Sequence, residues 1–207
     1  MEFPFIPGKT VEVPEISYKD KVSISAEESA LIIIDMQNDF VKPEGNLWVE
    51  SAQKTVAPIQ SIMNQARHSG ARVVYTQDTQ VEGDPEWEIW PQHCRINSWG
   101  WQIIDELKPE INDLICIKNR YDGFYGTWLD HFLSHIWKIK HLVIVGTVAN
   151  ICVLHTAASA GLRWYNVTIP AEAISALTEF DQALTLRQVS SLYSGNVVKC
   201  VNDIKFI

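Results

Sequence analysis

Runs of apolar residues, rather than scattered ones, organise this chain. Ala30-Leu31-Ile32-Ile33-Ile34, Val73-Val74-Tyr75, Leu114-Ile115-Cys116-Ile117, Leu142-Val143-Ile144-Val145-Gly146, Val167-Thr168-Ile169 and Val197-Val198 follow one another along the sequence. Short runs rich in Ile and Val, without polar alternation, predict strands buried on both faces of a parallel sheet. Between them the apolar period becomes helical. Pro58 suits a first turn, Ile59, Ile62, Met63 and Ala66 form one stripe, and Gly70 stops it. Thr127 predicts a cap for a helix opening at Trp128-Leu129, and another helix starts near Cys152 and carries Val153, Thr156, Ala157 and Ala160. A last helix runs from near Phe180 to Tyr193, ahead of Gly195. Strands alternating with helices predict an α/β fold. It is a three-layer, doubly wound domain over residues 29–207, built on a six-stranded, mainly parallel sheet. Residues 1–28, with Pro4, Pro7 and Pro14 and little periodicity, predict an N-terminal arm over the surface or a neighbouring subunit. Strand order is not legible at this level.

Three of the runs end beside a group able to break bonds. Asp35 follows the first, Lys118 follows the run at Leu114, and Cys152 comes shortly after the run at Leu142. Open parallel sheets bind ligands beyond the carboxyl ends of their strands, so acid, amine and thiol could share one cleft. The turn Gly146-Thr147-Val148-Ala149-Asn150-Ile151 feeds a helix. A helix amino end carries partial positive charge and free N–H groups, which favour a thiolate and can be aimed at an oxyanion. Lys118 would add a full positive charge, and Asp35 would take the thiol proton and return it to a leaving amine. Each residue alone has a plainer reading: a packed thiol, a helix-capping carboxylate, a surface lysine. Only their coincidence at three strand ends points to chemistry.

Composition narrows the classes. The chain has 207 residues, 46% of them hydrophobic, enough for one good core. With 25 acidic and 17 basic residues its formal charge is −8, a field that repels a phosphate backbone, so no nucleic-acid partner is expected. Apolar runs fall well short of the ~20 residues a membrane helix needs, and the first residues do not read as a signal peptide. Cys94, Cys116, Cys152 and Cys200 are far apart with no CxxC spacing, which fits a reducing cytoplasm better than a disulfide framework.

The stretches Ala30 to Phe40 (ALIIIDMQNDF), Lys118 to Thr127 (KNRYDGFYGT), Val145 to Val153 (VGTVANICV) and Trp90-Pro91-Gln92-His93-Cys94 resemble the isochorismatase-like hydrolase superfamily. The likeness is strongest to its cysteine amidohydrolases related to nicotinamidase. It implies a catalytic Asp35, Lys118 and Cys152, a cis peptide at Thr147–Val148, and an oxyanion hole from the N–H groups of Val148 and Cys152. The implied reaction is hydrolysis of a small-molecule amide C–N bond through a thioester, carboxamide to carboxylate plus ammonia. An ureido or N-carbamoyl substrate is the near alternative, and a non-catalytic binding protein on the same fold is the third. Homo-oligomers are expected from the same likeness.

The resemblance also raises a metal. Nicotinamidases hold a divalent ion with an Asp-x-His pair and a later histidine, whereas this chain has Asp78-Thr79-Gln80 and His93. Imidazole is a much better ligand for zinc or iron than an amide oxygen, so Asp78, His93 and Gln80 form a depleted set and the chemistry itself requires no cofactor. His93 also has a reading as a hydrogen-bonded loop residue. Phe40, Trp90, Tyr121 and Tyr125 are the candidates for the walls of a flat substrate pocket. Glu82, Asp84, Glu86 and Glu88, within the long segment from Thr79 to Gly100, read as solvated surface. His155, a helical turn beyond Cys152, reads as turned sideways from it.

Overall fold

A computed structural model describes residues 14–207, so Pro4, Pro7 and the first part of the expected arm lie outside the described residues. The strands are β1 (Tyr18–Lys19), β2 (Val22–Ile24), β3 (Ser29–Ile34), β4 (Arg72–Asp78), β5 (Leu114–Lys118), β6 (His141–Thr147), β7 (Asn166–Pro170), β8 (Ile174–Ser175), β9 (Asn196–Val198) and β10 (Ile204–Phe206). The α-helices are α1 (Asn38–Val41), α2 (Ala52–Ser69), α3 (Leu154–Leu162) and α4 (Glu179–Leu192). The main sheet runs β1-β9-β7-β6-β3-β4-β5, with β8 beside β6, and β2 pairs with β10 apart from it. Its pairings are parallel throughout.

The sheet therefore has eight strands where the runs predict six. The additions, β1 and β8, are two residues each, too short to leave a pattern. Side chains alternate across each strand, and here both faces are covered. Leu31, Ile33, Tyr75 and Val143 pack with Ile59, Ile62 and Met63 of α2. Ala30, Ile32, Leu142 and Ile144 pack with Leu133, Ala157 and Leu186 on the opposite face. Continuous apolar runs are the direct consequence of that double burial.

Helix boundaries differ from expectation in instructive ways. Helix α2 begins at Ala52, which leaves Pro58 in its interior. The carbonyl that Pro58 leaves unbonded belongs to Lys54, an exposed residue, so the missing hydrogen bond opens onto solvent rather than onto the core. Thr127 does accept from the Leu129 N–H, but most of the helix it caps is a π-helix, His131–Ile136. A second π turn, Ala149–Val153, precedes α3, with the Val153 N–H donating to the Val148 carbonyl. Cys152 thus sits in a widened turn, a form found often at functional sites. Among the described residues, no helix is long and apolar enough to cross a membrane.

The centre of the sheet is its switch point: the chain moves one way from β3 through β4 to β5, and the other way from β6 through β7 to β9. Gly146, at φ +117°, lets β6 close on β3; a Cβ there would lie 2.2 Å from the Ile34 carbonyl oxygen. Asp35 and the turn before Cys152 therefore leave adjacent strands.

Candidate active site

Four adjacent strand ends, β6, β3, β4 and β5, deliver a thiol, two carboxylates and an amine to one place. Lys118 ends β5 in register with Asp78 on β4, and its long stem reaches across β4 to Asp35. Its Nζ lies 2.8 Å from Asp35 Oδ2, 3.3 Å from Asp78 Oδ1 and 3.6 Å from Cys152 Sγ. Asp35 is held at φ +48°, its Oδ1 accepting from the Thr76 hydroxyl at 2.7 Å. Its Oδ2, although in the ion pair, has no aligned hydrogen-bond donor among the described residues. The three expected residues thus converge on one place. The Thr147–Val148 peptide is cis, where the resemblance places it.

Burial governs the electrostatics. It drives the Cys152 thiol well above its ordinary range; Lys118 pulls it down, but the charges of Asp35 and Asp78 add to the rise. Burial thus favours the thiol over the thiolate that a helix end and a lysine alone would favour. Burial also raises the Asp35 carboxyl; Lys118 works against the rise and Asp78 reinforces it. For Lys118, burial lowers the ammonium, but the two carboxylates outweigh it and hold it well above the usual lysine range. A charged lysine between two carboxylates, next to a protonated thiol, is ready for one proton to move from sulfur to Asp35.

Beside Cys152 lies a cavity of about 50 Å³. Phe40, Trp90 and Tyr121 line it as expected, joined by Leu47, Ile151 and Leu177. Trp90 Nε1 donates to the Tyr121 hydroxyl at 2.9 Å, tying two loops into one wall. Val148 and Cys152 both face the same space. Tyr125 does not: it is 68% exposed and outside the lining, carried away by the turn from Asp122 in which its N–H donates to the Asp122 carbonyl. His155 contacts the Tyr121 ring, and its Nδ1 meets the Ile151 carbonyl, so it takes no part beside the sulfur.

The polar end of the cavity adds a carboxylate to the expected ligands Asp78 and His93. Glu86, counted with the solvated acidic cluster on charge pattern, is 6% exposed and lines the cavity. Asp84 caps the short turn Pro85–Glu88 by accepting from the Glu86 N–H, which folds that one carboxylate inward. His93 Nδ1 is 2.8 Å from the Pro91 carbonyl, which can only accept, so Nδ1 carries a proton. Nε2 then faces Asp78 Oδ2 at 3.3 Å and Glu86 Oε1 at 3.7 Å. Ligand atoms of these three residues lie within 4.8 Å of one another. Three converging lone pairs call for a cation or a shared proton, so the set fits a divalent metal. Gln80 adjoins this set: its amide nitrogen lies 3.4 Å from both Asp78 oxygens and donates to them, while its own oxygen has no partner among the described residues. Burial and Asp78 raise the Glu86 carboxyl; for His93, burial lowers the imidazole but Asp78 leads the contacts that raise it overall.

Comparisons with known proteins give the family and the fold. The family model described as Isochorismatase domain matches residues 29–202. A ureidoacrylate amidohydrolase RutB of Caulobacter segnis is 30% identical, over 92% of this chain and 89% of that protein. N-carbamoylsarcosine amidase from Thermoplasma acidophilum superposes with a TM-score of 0.76 at 35% identity, covering 83% of this chain and 95% of that one. Pyrazinamidase of Pyrococcus horikoshii, solved in complex with zinc, gives 0.78 at 27% identity, covering 83% and 98%.

Proposed function

The chain belongs to the isochorismatase domain family, and from that premise we propose that it is a cysteine-dependent amidohydrolase acting on a small, flat carboxamide. The observation that carries this reading is the Lys118 ammonium at 2.8 Å from Asp35 and 3.6 Å from Cys152, at the wall of a small apolar cavity. Asp35 takes the thiol proton as Cys152 Sγ attacks the amide carbonyl carbon. The oxyanion rests on the N–H groups of Val148 and Cys152. As the C–N bond breaks, Asp35 returns the proton to nitrogen and ammonia departs. Asp35 then deprotonates a water that cleaves the thioester, releasing the acid and restoring the thiol. Lys118 stabilises negative charge on whichever of Asp35 and Cys152 bears it.

A second reading, cleavage of an ureido or N-carbamoyl group by the same steps, is supported by the names of the Caulobacter and Thermoplasma relatives. Asp78, Glu86 and His93 would hold a divalent ion, zinc among them, which when bound supplies a Lewis-acid anchor for a lone pair on the substrate. Four free cysteines suit a reducing compartment. We place the enzyme in the cytoplasm as a homo-oligomer.

Iodoacetamide tests the activated thiol. Cys152 should alkylate faster than exposed Cys200, and Asp35→Asn should slow it about 100-fold. The base form of Asp35 is required, and its acid range is raised, so the rate should be lost on acidification earlier than for an ordinary carboxylate. Alkylation that instead follows an unassisted thiol, unchanged by Asp35→Asn, contradicts the proposal.

A further inference from the structure

The cavity contains acceptors but lacks a cation to spare. Among the described residues lining it, Asp78, Glu86, His93 and Tyr121 are the titratable side chains besides Cys152, and none is lysine or arginine. Lys118 lies behind the wall, 1% exposed and already paired with Asp35 and Asp78. Arg120 is occupied by Asp84 at 3.2 Å and Glu86 at 3.7 Å. His93 uses Nδ1 on the Pro91 carbonyl and turns Nε2 to Asp78. Of the remaining walls, Trp90 spends its N–H on the neutral Tyr121 hydroxyl, and Phe40, Leu47, Ile151 and Leu177 are apolar. A carboxylate entering this space would lose its water, find no counter-charge and lie near two like charges.

We infer that the site takes uncharged amide or ureido compounds and rejects those bearing a carboxylate. The inference rests on the amidohydrolase reading and narrows its substrate class. It separates this chain from two of its relatives, because ureidoacrylate and N-carbamoylsarcosine each carry a carboxylate. A divalent ion on Asp78, Glu86 and His93 would lessen this exclusion, so the metal-free chain is the state in which it is strongest. Glu86, which the charge pattern places on the surface, becomes a specificity determinant.

Two matched pairs isolate the charge: the methyl ester of 5-carboxynicotinamide against 5-carboxynicotinamide, and the methyl ester of N-carbamoylsarcosine against N-carbamoylsarcosine itself. Ammonia release by the full-length chain, as purified and after EDTA, should favour the neutral member by at least about 50-fold in kcat/KM. Leu177→Lys, at a 55% exposed position in the cavity wall, supplies the missing cation without disturbing the core. It should narrow the ratio about 10-fold. Equal or faster hydrolysis of an anionic member, in either state, overturns the inference while leaving the amidohydrolase reading in place. A ratio unmoved by Leu177→Lys also counts against it. No ammonia from any of the four compounds, together with unassisted alkylation of Cys152, overturns the underlying reading and the inference with it.

Discussion

Cys152→Ala should lower ammonia release by about 10⁴-fold or more, since the covalent route loses its only nucleophile. The same change should barely disturb folding. Cys152 sits at the cavity wall, so losing one sulfur atom adds to a space that already exists and should cost about 1 kcal/mol. The urea midpoint and the near-ultraviolet circular dichroism therefore serve as controls, and a folded but inactive variant is the expected result. Turnover within 10-fold of the parent, with the fold intact, would show that sulfur is not the attacking atom.

Lys118→Met carries the second large effect, and it appears in stability as well as in rate. Methionine matches the length of the lysine stem, so packing is largely retained. What vanishes is the cation between Asp35 and Asp78, both buried. Removing one partner from a buried ion pair leaves uncompensated charge and costs about 3–5 kcal/mol. In the parent, Lys118 and His93 hold the Asp78 carboxyl below its ordinary range despite burial. Its contribution to stability is therefore present above the unfolded pKa and lost as pH falls through the folded one. In the variant the sign reverses for Asp78, and Asp35, already raised in the parent, rises further, so the loss is greatest at neutral pH and shrinks as acid neutralises both carboxyls. Urea unfolding of parent and variant at pH 7 and pH 5 measures the difference directly. A cost under 1 kcal/mol at pH 7, or one that grows on acidification, would mean that Lys118 is not the counter-ion of this centre.

The residues of this centre that follow long strands were the most legible, and two on turns, Glu86 and Tyr125, were misread. Asp35, Lys118 and Cys152 follow runs of consecutive apolar residues, and a run buried on both faces announces both the strand and its end. Asp78, at the end of β4, was singled out through the resemblance rather than through its strand. Glu86 was hidden because one inward carboxylate among four acidic residues has the composition of a solvated face. Asp84-Pro85, a cap followed by a first-turn proline, was the available signal that the chain turns there. Tyr125 was misjudged for the converse reason: nothing in its neighbours distinguishes a turn that faces outward from one that lines a pocket. Pro58 shows a different limit. A proline inside a helix is tolerated when the carbonyl it orphans faces solvent, and that depends on tertiary position rather than on local sequence. Strand order likewise emerges only when the whole sheet is assembled, and with it the reach of Lys118 across β4.

The thioester is the intermediate on which amide cleavage, triad and specificity all depend, and partitioning tests it. Nicotinamide and methyl nicotinate would give the same nicotinoyl group on Cys152 after losing ammonia or methanol. With hydroxylamine added as a competing nucleophile, the ratio of nicotinohydroxamic acid to nicotinic acid should be identical from both compounds, because both pass through one acyl-enzyme. A ratio that depends on the leaving group would mean that water attacks the amide directly and that no common thioester forms.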